Sequence, residues 1–244
     1  MTAKNPSFGV SEKSVASAYT IVGGDCMIAT ERQTQCKYIE LLVKALQEFY
    51  VKDAKDLFKD KMVDERAMVG CIYRYMWCSL QRMKWDGIEH DIDIEYDRMN
   101  NKDGDAIRKT ILCINKHKDD CKHEYEFCGK IIEDYNKKEC NDCKDRQFRP
   151  DIIVHRRMSE LGEGNGLVVE FKKDRGEKSN KKDDLFDMAK VMYCTCDKGD
   201  FRYKVGACVK LFERLCKVLV FINGENVFSF SVNCSGRIIN PTVS

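Results

Sequence analysis

Arg149-Pro-Asp-Ile-Ile-Val-His-Arg-Arg157 and Leu167-Val-Val-Glu-Phe-Lys-Lys173 decide how this chain is understood. Both are short apolar runs rich in β-branched residues, joined by the glycine-rich Met158-Ser-Glu-Leu-Gly-Glu-Gly-Asn-Gly166. The pattern predicts a β-hairpin with strands at Asp151–Arg157 and Leu167–Lys173. On the second strand Glu170 and Lys172 are two residues apart and share a face with Val168, while Val169 and Phe171 take the other. Folded about the middle of the loop, the hairpin sets Asp151 opposite or diagonal to Glu170. Two carboxylates and an ammonium therefore converge at one sheet end. Like charges so close repel unless a cation lies between them. A hard divalent ion such as Mg²⁺ suits oxygen ligands of this kind. Such a site suits phosphodiester hydrolysis, with Lys172 orienting water or stabilising developing negative charge. The plain alternative is that Asp151 ends a strand and Glu170–Lys172 is an exposed ion pair of little consequence.

Upstream, Tyr38, Ile39, Leu42, Val43, Leu46, Phe49 and Tyr50 recur at three- and four-residue steps. They predict a helix over roughly Glu31–Asp60. A second helix begins after Asp64, its expected N-cap, and buries Met68, Val69, Ile72, Tyr73, Met76 and Leu80. Ile88–Tyr96 alternates apolar and acidic residues, as a half-buried strand does. Downstream, Lys182–Cys196 reads as a helix. Tyr203–Phe212, Lys217–Ile222 and Val227–Val232 read as strands, with Asn223-Gly224 as a tight turn. The expected organisation is an irregular arm over residues 1–30 and a single α/β domain over 31–244. Residues 98–148 form a charged, Cys-rich insertion in it, with helices expected around Asp105–Ile114 and Tyr125–Tyr135.

The run Pro150-Asp151 … Glu170-Phe171-Lys172 resembles the PD-(D/E)xK nuclease superfamily, and in particular a subset of small prophage and bacterial members. Asp64-Glu65-Arg66-Ala67 matches the Glu-Arg helix opening of that subset, and Asp91–Tyr96 its strand before the hairpin. Asp184 and Lys190 on the later helix, and the Tyr-x-x-Gly step at Tyr203–Gly206, also fit. The resemblance covers about residues 60–235, with the insertion as the main departure. It implies a restriction-endonuclease-like fold, a mixed central sheet flanked by helices. It implies Mg²⁺ or Mn²⁺ held by Asp151, Glu170 and the main-chain carbonyl of Phe171, with Glu65 nearby. It implies DNA more than RNA as substrate. Two rivals stand beside this expectation: a non-catalytic nucleic-acid-binding module on the same fold, and an interaction subunit of a larger complex.

Arg149, Arg156, Arg157, Lys173, Lys181 and Lys182 surround the hairpin and are candidates for phosphate contact. Interspersed acids leave a solvated turn as the alternative. The overall charge is only +2, so composition does not itself point to nucleic acid. Five of the 14 cysteines lie between Cys113 and Cys143. Cys140 and Cys143 have the two-residue spacing of a zinc knuckle, and Cys121, His123 and Cys128 offer partners for a structural Zn²⁺. The alternative is reduced surface thiols. Residues 1–15 contain no apolar signal core, and no apolar run reaches the roughly 20 residues of a membrane helix. The expectation is a cytoplasmic chain with reduced cysteines and no membrane partner. A homodimer is open: no sequence feature marks a dimer face.

Overall fold

The computed structural model describes residues 29–60, 62–83, 85, 90–94, 98–100, 106–108, 110–111, 146–147, 149–156, 164–174, 176, 181–197 and 201–243. Helices α1 (Ala29–Lys52), α2 (Ala54–Lys59) and α3 (Glu65–Arg82) come first. Strands β1 (Asp91–Ile94), β2 (Arg98–Asn100), β3 (Ala106–Arg108), β4 (Thr110–Ile111), β5 (Arg146–Gln147), β6 (Ile152–His155) and β7 (Asn165–Lys173) follow. Helix α4 (Lys181–Thr195) leads into β8 (Val205–Leu211), β9 (Leu215–Ile222), β10 (Glu225–Asn233) and β11 (Ile238–Val243). The expected α/β class is observed. Seven strands form one mixed sheet in the order β1-β6-β7-β8-β9-β10-β11. Among the described strands only β7 and β8 pair in parallel, and α4 is the crossover between them. This is the connection that a parallel pair requires.

The sheet is covered on both faces. Tyr38, Leu41, Leu42, Ala45, Leu46 and Phe49 form the buried stripe of α1, at helical spacing. With Met68, Ile72 and Met76 of α3 they pack on Ile152, Val154, Val169 and Phe171. On the opposite face, Val191 and Cys194 of α4, with Tyr193, Phe201 and Tyr203, pack on Ile153, Val168 and Phe221. The alternation along β6 and β7 thus sends one set of side chains to each helical layer. Gly206 of β8 lets α4 come close: a Cβ there would clash with Val191 and Thr195. Thr195 Oγ1 accepts from the Gly224 N–H at 3.2 Å, tying the end of α4 to the β9–β10 turn. In that turn Asn223 and Gly224 both have positive φ (53° and 80°), as a two-residue hairpin loop demands.

Several expectations need correction. The first helix does not run unbroken to Asp60. It stops at Lys52, and Asp53 instead takes the Tyr75 hydroxyl (2.7 Å) and Arg74 (3.0 Å) of α3. On α3, Tyr75 is buried and Tyr73 only partly so. Of the stretch 105–114 the described residues, 106–108 and 110–111, are extended rather than helical: β3 pairs with β2 and β4 with β5. Ile107, Thr110 and Ile111 are β-branched residues that suit extended backbone. The helix expected at Tyr125–Tyr135 lies outside the described residues, as do residues 1–28 of the arm expected over 1–30, whose last two residues, Ala29 and Thr30, belong instead to α1. The sheet has one strand more than foreseen. β11 contains Pro241, which argues against a strand in the interior of a sheet but is tolerated at an edge. Among the described residues no helix is long and apolar enough to cross a membrane.

Candidate active site

The hairpin register brings the site together. Ile152 pairs with Val169, Ile153 with Val168 and Val154 with Leu167. Continued by one residue, it sets Asp151 beside Glu170, as the sequence suggested. The strand does not continue regularly, because the Asp151 side chain takes over a backbone role. Its Oδ2 accepts the Phe171 N–H at 2.7 Å. The Phe171 N–H therefore faces β6, and in an antiparallel ladder the carbonyl of the same residue leaves on that side too. The next ladder partner would be Pro150, which has no N–H to donate. The Pro-Asp pair thus frees the Phe171 carbonyl of that ladder donor and places a carboxylate beside it.

Glu170 is 5% exposed and points to the α4 layer. Its Oε2 is 3.0 Å from Lys190 Nζ. Its Oε1 is buried with no hydrogen-bond partner. A buried carboxylate oxygen without a partner costs several times what a hydrogen bond contributes, so it calls for a ligand or another explanation. Burial pushes Glu170 up to about 8, against the pull of Lys190, with Asp151 and Asp187 adding to the rise. Burial likewise pushes Asp151 up to about 6. The Phe171 N–H opposes that rise, Glu65 reinforces it, Lys190 opposes it and Asp187 reinforces it. For Lys190, burial alone would lower the pKa, but the Glu170 and Asp187 carboxylates outweigh it and hold the ammonium above the ordinary lysine range.

Asp187 links two lysines. Its Oδ1 is 2.8 Å from Lys190 Nζ and its Oδ2 is 3.4 Å from Lys172 Nζ. Lys172 is therefore on the α4 face beside Glu170, as the two-residue spacing required. Lys173 turns the other way. Its ammonium donates to the Val63 carbonyl at 2.7 Å and lies 5.6 Å over the Phe58 ring. Glu65 opens α3, whose N-cap Asp64 accepts the Ala67 N–H. Glu65 Oε2 accepts the Lys173 N–H at 2.6 Å, which fastens α3 to the end of β7. Glu65 thus stands by the site from the α1/α3 side and acts on Asp151 through its charge.

Of the basic candidates, Arg149 is exposed two residues before Asp151. Arg156 lies at the other end of the hairpin, five extended residues or roughly 16 Å from Asp151, where its N–H meets the Gly164 carbonyl. Arg157 and the side chains of Lys181 and Lys182 lie outside the described residues. So do Cys121, His123, Cys128, Cys140 and Cys143, the candidate zinc ligands.

Asp187 escaped the sequence reading. The signal was there: it precedes Lys190 by three residues on one helix and therefore shares its side. His155 is buried and bonded through Nε2 to Asp93 Oδ2 at 2.7 Å. This pair closes the end of the hairpin away from Asp151.

Among the described residues no three His, Cys, Asp or Glu side chains form a ready metal-ligand group. The Asp151 and Glu170 carboxylates do act on one another through their charges, however, and the ladder geometry turns the Phe171 carbonyl toward β6. The partnerless Glu170 Oε1, the Asp151 oxygen not used by Phe171 and the Phe171 carbonyl are all hard oxygen donors. They fit a divalent cation of the Mg²⁺ class, with waters completing its shell. No protein-family model, no curated protein and no solved structure matches the chain.

Proposed function

We propose that this chain is a metal-dependent nuclease of the PD-(D/E)xK type with a restriction-endonuclease-like fold, hydrolysing phosphodiester bonds in DNA. The observation that carries the reading is Glu170. It is buried and lacks a partner for one oxygen, with Asp151 and two lysines on the same side of the sheet. A structural ion pair would have been cheaper at the surface, since burying charge costs more than an isolated pair returns. A site that must meet a cation and a phosphate explains the expense.

Asp151 and Glu170, with the Phe171 carbonyl, would hold Mg²⁺ or Mn²⁺. When bound, that ion supplies Lewis acidity toward the phosphate and acidifies a bound water. The chain's own groups do the rest. The Phe171 N–H and the strand register fix the Asp151 carboxylate. Lys172, a third exposed and anchored by Asp187, presents an ammonium toward the phosphate and the attacking water, where it stabilises negative charge as it develops. Glu65 holds the end of β7 through the Lys173 N–H and adds negative potential near Asp151. Arg149, exposed two residues before Asp151, would meet the nucleic-acid backbone, whose phosphates attract exposed cations.

The test is a cleavage assay with Mg²⁺, Mn²⁺ or EDTA on linear and circular, single- and double-stranded DNA, and on RNA. Wild type runs beside Asp151→Ala and Lys172→Ala. Metal-dependent cutting lost in both variants is expected. Equal DNA binding by all three proteins without any cutting would favour the binding module instead. Co-purification with a fixed partner and no affinity for DNA would favour the interaction subunit.

A further inference from the structure

Lys190 holds a position that a cation could hold. Its ammonium lies between two carboxylate oxygens on different elements, 3.0 Å from Glu170 Oε2 on β7 and 2.8 Å from Asp187 Oδ1 on α4. The side chain is 13% exposed, so the charge is well inside the protein. The two oxygens of Glu170 therefore differ: Oε2 has a resident positive charge and Oε1 has no hydrogen-bond partner. In sites that hold two divalent ions about 3.5–4 Å apart, the ions share the charge of the carboxylates around them. Here one of those oxygens already serves a covalently attached ammonium. The helix that carries it is seated closely on β8 through Gly206 and tied to the β9–β10 turn by Thr195.

We propose that Lys190 stands in for a second metal ion, so that the site takes a single divalent cation, on the Glu170 Oε1 and Asp151 side. The inference rests on the nuclease reading and extends it to the number of ions the site uses. Asp187 has a double part. It completes the pocket around the Lys190 ammonium, and its other oxygen positions Lys172. Removing the ammonium leaves Glu170 Oε2 and Asp187 Oδ1 facing the same vacated space. Two hard oxygens in that arrangement would accept a divalent ion.

The experiment is calorimetric titration of the full chain, stripped with EDTA, with Mn²⁺. Equivalents that disappear in Asp151→Ala are counted as belonging to the site. Wild type is expected to bind one such equivalent, Lys190→Ala two, and Lys190→Arg, which keeps the charge, one. Two site equivalents in wild type, or a single one in folded Lys190→Ala, would overturn the inference. If Lys190→Ala does not fold, wild type and Lys190→Arg decide: one equivalent each supports the inference, and two in either overturns it. DNA cleavage that depends on Asp151 upholds the nuclease reading whatever the count. No site equivalent together with no cleavage removes both.

Discussion

Phe171 and Glu170 are neighbours on β7 and are buried almost equally, at 2% and 5% exposure. They face opposite layers. The α1/α3 side of the sheet receives Val169 and Phe171 and is a continuous apolar core. The α4 side receives Val168, Glu170 and Lys172, and the apolar cluster there ends where the charges begin. One face is built for stability. The other accepts the expense of buried charge at one end of the strand. A protein gains nothing in stability from that choice, and the proposed site rests on this contrast.

Breaking each face should give opposite results. Phe171→Ala removes a large buried ring and is expected to destabilise the fold by about 3–5 kcal/mol, read from chemical denaturation. Glu170→Gln should do the reverse in metal-free buffer. It removes a buried carboxylate that lacks a partner for Oε1, while its amide oxygen can still accept from Lys190, which keeps Asp187, so stability holds or rises, and metal-dependent cleavage falls by roughly two to three orders of magnitude.

Gly206→Ala tests whether the charged face depends on the seating of α4. The added methyl meets Val191 and Thr195. Overpacking of this kind costs roughly 1–3 kcal/mol. Because α4 carries Asp187 and Lys190, turnover should drop further than stability does, with melting and cleavage compared on the same sample.

A pH series sharpens the contrast. Glu170 is pushed up to about 8 and Asp151 to about 6 in the absence of a cation. Both folded values exceed those of an unfolded carboxyl, so the folded chain binds more protons between them. The stability this gives is complete below the unfolded values and is lost as pH rises through the folded ones. In EDTA the melting temperature should therefore fall from about pH 5 to 8, and Glu170→Gln should flatten the upper part of that decline. The smallest effect is expected from Glu65→Gln. The amide oxygen can still accept the Lys173 N–H, so stability should change by less than about 1 kcal/mol and cleavage only modestly.

Much of this was legible from local pattern. The period of β6 and β7 set which side chains share a face, and the loop length set the register that puts Asp151 beside Glu170. Asp64 capped its helix as its residue type suggested. What the sequence hid depended on contacts across elements. Asp53 interrupts the first helix because α3 supplies partners for it. β11 was masked by Pro241, a residue that only an edge position excuses. Asp187 became visible as part of the site only once α4 was laid over β7. The presence of Lys190 could be read beforehand, but not that its ammonium joins Glu170 to Asp187.

The central claim is that the charge buried on the α4 face is a divalent-cation site. Thermal denaturation of wild type and Glu170→Gln, in EDTA and in Mn²⁺ at a hundredfold excess over its dissociation constant, tests it most directly. Binding at that excess stabilises by about 2.7 kcal/mol. For a chain of this size that raises the melting temperature by roughly 5–10 °C. The account predicts that rise in wild type and its loss in Glu170→Gln. No rise in wild type, or an equal rise in both proteins, would contradict it.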